Sequence, residues 1–412
     1  MRKPSVGIIF LTVFIDLIGF GIVIPLLPIY GKTFAASGLE LGLLLSVFSL
    51  MQFIFGPLLG RLSDRIGRRP VLLLSTAGAA ISYAIFAIGS GFHGQAALMT
   101  LFVSRGFAGV CGANITVAQA YIADITPPAE RSRKMGLIGM AFGLGFIFGP
   151  LVGAMARTWF GMTGPGWVAA AFCAANFLLA FSILPESWKP SSDHVARRPH
   201  VAQWLHTMTL PKVGLLIDVF FLATFAFTCF ETTIGLLICQ KFNIDVESVR
   251  ASKLQSYLFA FAGIIGAFVQ GGATGRLVKL MGEPKLIATS LILAAVGLGF
   301  LPFISGWSSL LVLLAVLSIG TSLTRPPVFG MISNLTAANE QGVTIGVAQS
   351  MGALARIVGP MTLVPLFYKM PPLPYVICAV VCLLTGLIAW QRLSKGYERP
   401  SAAAVTAPKV EA

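Results

Sequence analysis

The sequence predicts an all-α membrane protein, with twelve transmembrane helices in two six-helix pseudo-symmetric bundles. Three observations predict it: too few charges to cover a soluble fold, twelve apolar runs of near-bilayer length, and a repeat relating the first half of the chain to the second. Of the 412 residues, 56% are hydrophobic and 11% charged, with a mean hydropathy of +0.86. An ordinary soluble domain carries roughly 25% charged residues, so a water-soluble fold of this length would lack polar surface.

The apolar runs fall near 5–30, 41–60, 71–90, 97–123, 134–156 and 165–184, then near 212–239, 254–275, 284–304, 308–334, 342–368 and 372–393. Each is long enough to cross about 30 Å of hydrocarbon at 1.5 Å per residue. They lack the two-residue alternation of barrel strands, and helices satisfy their own backbone groups in lipid. The first run follows Arg2 and Lys3 but contains Asp16, Pro25 and Pro28 and no small-residue cleavage site, so it is expected to be a retained helix and not a signal peptide.

A formal charge of +14 would suggest nucleic acid for a soluble chain. When the loops are assigned alternately to opposite sides, most of the 29 Lys and Arg fall on one side, among them Arg61 to Arg69, Arg131, Arg133, Lys134, Arg276, Lys279 and Lys285. That asymmetry excludes nucleic acid as a partner and, by the positive-inside rule, puts both termini in the cytoplasm.

The repeat pairs Glu130, Gly136, Gly149 and Pro150 with Glu340, Gly346, Gly359 and Pro360 at one constant offset. A second match aligns Gly60-Arg61-Leu62 and Gly67 with Gly275-Arg276-Leu277 and Gly282. Two parallel six-helix repeats are a transporter plan, with cargo bound near the midplane between them and alternating access by rocking. The expected divisions are a bundle over 1–185, a cytoplasmic linker over 186–211, a bundle over 212–393 and a disordered tail over 394–412.

Catalytic and cofactor chemistry has no carrier in this sequence. The phosphate-cradling loop of a nucleotide-driven pump is absent, as are Gly-x-Ser-x-Gly and His-Glu-x-x-His. All six cysteines lie within the apolar runs, and His194, His200 and His206 sit in the central loop without metal-ligand spacing, so no metal, cofactor or nucleotide is expected and no enzyme activity is assigned.

Between the second and third runs stands Gly60-Arg61-Leu62-Ser63-Asp64-Arg65-Ile66-Gly67-Arg68-Arg69-Pro70. Its arginines suit a cytoplasmic interface, and Asp64 can pair with them or with a helix N-terminus. The fifth run carries Gly145, Gly149, Pro150 and Gly153, which suits close helix packing. The fourth carries Leu101, Arg105, Ala108 and Gly109, and ends on Tyr121-Ile122-Ala123-Asp124.

These segments resemble the major facilitator superfamily, and its twelve-helix drug/proton antiporters in particular, closest in appearance to the tetracycline/proton antiporters. The resemblance implies that Gly60, Asp64, Arg65, Gly67 and Arg68 latch the two halves in the outward-facing state. It implies an antiporter signature in Gly145, Gly149, Pro150 and Gly153, and a buried arginine linked to proton transfer in Arg105. Ala154, Ala108 and Cys111 depart from the family patterns. Ser82, Ser290 and Ile265 stand in regions where tetracycline exporters carry acids and a histidine, a departure that argues against tetracycline itself while leaving drug export.

A charge at a helix centre costs about 2.5–3.5 kcal/mol on insertion scales. Asp16, Arg105, Glu231, Arg325 and Arg356 stand there and are therefore functional candidates. Helix rise puts Asp16 roughly 15 Å from the start of its helix and Arg105 about 12 Å from the other end of its own, so the two are expected to meet. Asp16 is expected to carry the proton, with Arg105 tuning it. Glu231 is expected to be a second proton site, a cargo contact, or a partner for Arg325 or Arg356. Candidates for the cargo wall are Gln52, Asn114, Phe227, Glu231, Arg325 and Arg356, with Phe230 and Phe261 nearby.

The function expected is secondary active transport: a monomeric, proton-coupled antiporter in a bacterial cytoplasmic membrane, exporting a small amphipathic molecule. Transport of a metabolite such as an amino acid, siderophore or organic anion is the alternative, and a non-transporting receptor the more distant one.

Overall fold

A computed structural model describes residues 4–23, 26, 27, 30, 33, 34, 38–112, 114–188, 200–244, 249–337 and 340–395. Pro25, Pro28, Lys32 and His194 lie outside the described residues, as do 189–199 of the expected linker and the tail beyond Lys395.

The first half contains α1 (Val6–Val23), α2 (Gly38–Ile66), α3 (Arg68–Ser90), α4 (Gly94–Cys111), α5 (Asn114–Ile125), α6 (Arg131–Phe160) and α7 (Gly164–Ile183). After α8 (His200–Thr209), the second half contains α9 (Pro211–Lys241), α10 (Val249–Phe268), α11 (Thr274–Met281), α12 (Glu283–Phe300), α13 (Trp307–Leu335), α14 (Gln341–Lys369) and α15 (Pro372–Leu393). Among the described residues, 11 helical stretches are long and apolar enough to cross a membrane. One of them, Pro128–Ile183, is 56 residues long, far beyond a single crossing at 1.5 Å per residue. It turns at Gly161–Thr163 into α6 and α7, which brings the crossings to twelve.

Large apolar side chains cover the outside: Phe268 is 83% exposed, Leu280 74% and Trp159 67%. Surface of that kind suits lipid, where an exposed apolar side chain carries no hydration penalty.

Three local departures from the sequence expectation shape the interior. First, α2 runs on to Ile66, beyond its expected end near residue 60, because nothing from Arg61 to Ile66 breaks a helix and Leu62 packs against the core. The whole turn to α3 is Gly67, at φ 100°, a left-handed conformation that glycine adopts without strain. Second, the fourth run is interrupted: α4 ends at Cys111, Gly112 follows, and a helix restarts at Asn114. Third, Val269–Ala273 forms a π-helical turn between α10 and α11, carrying Gln270 against Gly136 and Gly139 of α6. The expected linker also contains a helix of its own, α8.

The repeat is visible in the packing. Glycines of α6 meet α1: a Cβ on Gly149 would stand 2.5 Å from the carbonyl carbon of Gly21, and one on Gly153 2.7 Å from the oxygen of Ile22. The corresponding Gly359 of α14 presses on Thr228 of α9. Between the halves, Gly346 of α14 lies on Gly56 and Pro57 of α2, while its counterpart Gly136 of α6 lies on Gln270. α2 against α14, and α6 against α10 and α13, are the main inter-half seams.

Candidate functional site

The two halves are joined most firmly at the end that holds the Gly67 turn, which also carries the basic loops. There Asp64, at the last turn of α2, accepts the backbone N–H groups of Gly342 at 3.1 Å and Val343 at 3.0 Å. These N–H groups open α14 and have no partner within their own helix, so a carboxylate there is favoured by hydrogen bonding and by the helix dipole. Asp64 also pairs with Arg68, whose Nε reaches Asp124 at 3.0 Å. The arginines were expected at the interface. Arg65 and Arg69 do keep some exposure, but Arg68 is 0% exposed, because Asp64, Asp124 and Ser63 surround its guanidinium. Glu186, the first residue of the expected linker, accepts the backbone N–H groups of Arg68 and Arg69 at 2.9 and 3.0 Å and so caps α3.

The opposite seam has bridges of its own. Arg131 donates to the Ser333 carbonyl at 2.8 Å and to Asn334 at 3.2 Å. Ser132, at the start of α6, donates to the buried Glu283 at the start of α12. Under the repeat Ser132 corresponds to Gly342 and Glu283 to Arg68, so the second seam uses an acid where the first uses a base.

Deeper in, Asp16 of α1 accepts a hydrogen bond from Asn114 Nδ2 at 2.8 Å and a weak one from Cys173 Sγ at 3.8 Å. The interruption between α4 and α5 puts Asn114 there. Arg105 does not meet Asp16, contrary to the expectation. Its guanidinium lies over Phe48 at 4.6 Å and Phe20 at 5.9 Å, 1% exposed, with no hydrogen-bond acceptor among the described residues. Helix rise gives height along the bundle but not the direction a side chain faces. Glu231 of α9 is half-buried and has no ion-pair partner among the described residues, although Arg356 is the cation that acts on it. The expected partnership of Glu231 with Arg325 or Arg356 is therefore a field and not a contact.

Arg325 and Arg356 are half-buried in the interior and act on each other electrostatically. Arg325 of α13 lies against Phe142, Phe220 and Phe329 at 5.0, 5.5 and 5.7 Å and donates to Gln349 Oε1 at 3.2 Å. Gln349 in turn donates to Gln119 of α5 at 2.8 Å. Arg356 of α14 donates to Gln52 Oε1 of α2 at 3.1 Å, and Gln52 donates to the Gly112 carbonyl at 3.0 Å. That carbonyl points away from a helix because α4 stops there. Both chains cross from one half to the other.

Of the expected cargo wall, Gln52, Arg325 and Arg356 are thus brought together, and Asn114 holds Asp16. Phe227 is half-buried, and its ring lies tilted at 40° to that of the buried Phe230, with centroids 5.6 Å apart. Gln119, Gln349, Phe142 and Glu186 were missed. The amides carried one usable signal, since polar groups inside apolar spans are costly.

Comparisons with known proteins bear on the family and the fold. A sequence model described as Major Facilitator Superfamily matches residues 9–360 and 272–411. The class E tetracycline resistance protein of Escherichia coli is 34% identical over 85% of this chain and 84% of its own length. Major facilitator superfamily domain-containing protein 10 of Bos taurus is 31% identical over 92% of this chain and 91% of its own. The crystal structure of human MFSD10, titled an organic anion transporter, aligns with a TM-score of 0.83 at 25% identity, covering 94% of this chain and 100% of that one.

Proposed function

The chain belongs to the Major Facilitator Superfamily, a family of integral-membrane transporters, and from that premise we propose that it is a proton-coupled antiporter exporting a small amphipathic molecule with an anionic group. The observation that carries this reading is the pair Arg325 and Arg356. Each is a cation inside the bundle, held by a neutral amide oxygen, with no carboxylate in ion-pair contact among the described residues. Glu231 reaches Arg356 only through its field, so two cations share the influence of one acid, and burying them is costly unless a further negative group arrives. The rings of Phe142, Phe220 and Phe329 beside Arg325 would take the apolar part of the cargo. The MFSD10 title, naming an organic anion transporter, supports this cargo class, and the tetracycline-resistance relatives support drug export.

On this reading the basic end faces the cytoplasm by the positive-inside rule, and both termini lie there. Asp64 and its neighbours then close the cytoplasmic side, so cargo leaves toward the opposite one. Residues 1–185 and 212–393 rock as units joined through 186–211, and one chain suffices for the cycle. The bacterial cytoplasmic membrane is one of two settings, since relatives occur in Escherichia coli and Bos taurus.

Asp16 is the proton carrier in this cycle. A carboxylate held by Asn114, with no ion-pair partner among the described residues, can load and release a proton without breaking a salt bridge. Glu231, facing the field of Arg356, is the second candidate. The electrical part of the gradient supplies about 2.3 kcal/mol per charge per 100 mV.

Purified protein in proteoliposomes with an imposed proton gradient tests the cargo class, using fluorescein as the organic anion and ethidium as the organic cation. Gradient-dependent movement of fluorescein is the expected result. Movement of ethidium alone would overturn the anionic cargo while leaving a transporter.

A further inference from the structure

The two chains of amides have a chemical peculiarity. An arginine guanidinium has five N–H donors and no acceptor, and among the described residues each donates to a neutral amide oxygen, at 3.2 Å for Arg325 and 3.1 Å for Arg356. Arg325 Nε is buried with no acceptor among the described residues. The Arg325 guanidinium carbon lies over the rings of Phe142, Phe220 and Phe329, which offer it no hydrogen-bond acceptor of oxygen or nitrogen. The amide orientations are fixed by their neighbours: because arginine only donates, Oε1 of Gln349 and of Gln52 must face it. Their amino groups are then directed to Gln119 Oε1 and to the Gly112 carbonyl, both in the first half.

Resting on the anionic-cargo reading, we propose that Gln52 and Gln349 are exchangeable stand-ins for the cargo anion. They occupy the guanidiniums while no cargo is bound, and their displacement by a carboxylate or sulfonate releases the two deep bridges between the halves. The bond from a guanidinium to an amide oxygen is already charge-assisted, but a carboxylate or sulfonate adds a full opposite charge and can take two N–H groups of the fork at once, so an anion outcompetes an amide for either arginine. When Gln52 is displaced from Arg356, a hydrogen bond that itself crosses the seam is lost. When Gln349 is displaced from Arg325, it loses the bond that holds its amide toward Gln119. Arg325 lies within reach of the charge of Arg356, so an anion that takes the place of either amide also offsets that repulsion. Cargo recognition and loosening of the seam are then a single event. Gln52 and Gln349 are positioning residues that act through the arginines.

The test uses the full-length protein in nanodiscs, with fluorescein binding read by fluorescence polarisation. The distance across the basic end is read by double electron–electron resonance between spin labels on Ile66→Cys and Lys285→Cys. All six native cysteines are buried, so the introduced ones label selectively. Gln349→Ala and Gln52→Ala remove the competing oxygen and should bind fluorescein about two- to tenfold more tightly, the size of a net hydrogen bond. They should also broaden the distance toward the open state without cargo. Gln349→Glu and Gln52→Glu supply a permanent competing anion and should bind fluorescein at least about tenfold more weakly, with the distance held short. In transport, the alanine variants should lower KM and the glutamate variants raise it.

Weaker binding in both alanine variants would overturn the exchange, because that is what a merely structural amide gives, and it would leave the anionic cargo standing. Failure of the unsubstituted protein to bind fluorescein would overturn the cargo class and the exchange with it.

Discussion

Asp64 of α2 takes up two of the N–H groups that open α14 by accepting those of Gly342 and Val343, at 3.1 and 3.0 Å, while pairing with a fully buried Arg68. One carboxylate thus joins the two halves and neutralises a buried cation. Asp64→Asn keeps the shape but removes the charge and weakens both contacts. Breaking one partner of a buried pair costs about 3–5 kcal/mol, part of which the amide recovers. The expected result is a shift of the Ile66 to Lys285 distance toward the open state, measured by electron resonance. An unchanged distance distribution would show that Asp64 does not hold this seam.

The second seam should respond independently. Ser132 and Glu283 bridge α6 to α12 with no residue shared with the Asp64 cluster. Glu283→Gln should open the same end by itself. In the double variant with Asp64→Asn, the two shifts in closed-to-open free energy should add within about 0.5 kcal/mol, as separated sites do. Strong non-additivity would mean that the two bridges form one cooperative element.

The glycines of α6 are expected to act through contact with α1. A Cβ on Gly149 would meet Gly21 backbone atoms at 2.5 and 2.6 Å, which α1 relieves only by moving. Gly149→Ala should therefore cost about 1–3 kcal/mol, the range of core overpacking, despite alanine's better helix propensity. Gly42→Ala, with nothing within 4 Å of the added carbon, is the control. Thermal unfolding in detergent measures both, and equal melting temperatures would contradict the packing role.

How much of this was legible in the sequence depended on whether a residue's partner is local in pattern. Gly145, Gly149 and Gly153 advertise a small-residue face at helical spacing, though not that α1 is the helix it meets. Asp64 was readable as an anion near a helix N-terminus, though not which helix. Arg68 was misjudged as interfacial, because its counter-charges Asp64 and Asp124 lie on two different helices. Arg105 and Asp16 share a height but face different neighbours, the rings of Phe48 and Phe20 for one and Asn114 for the other. Gln119 and Gln349 belong to opposite halves of the chain, and a single amide in an apolar run says nothing about what it bridges. The break at Gly112 had no signal beyond one glycine among many, yet it directs both Asn114 and the carbonyl that holds Gln52.

The central claim is that uptake of a proton on Asp16 drives export of an anionic cargo. Its most direct measurement is fluorescence-quench proton flux in everted membrane vesicles, with fluorescein added to the original protein and to Asp16→Asn. The asparagine keeps an oxygen for the Asn114 amide, so the bundle should remain folded and inserted. The expected result is that fluorescein dissipates the proton gradient with the original protein and leaves it intact with Asp16→Asn. Equal dissipation by both proteins would contradict Asp16 as the proton carrier.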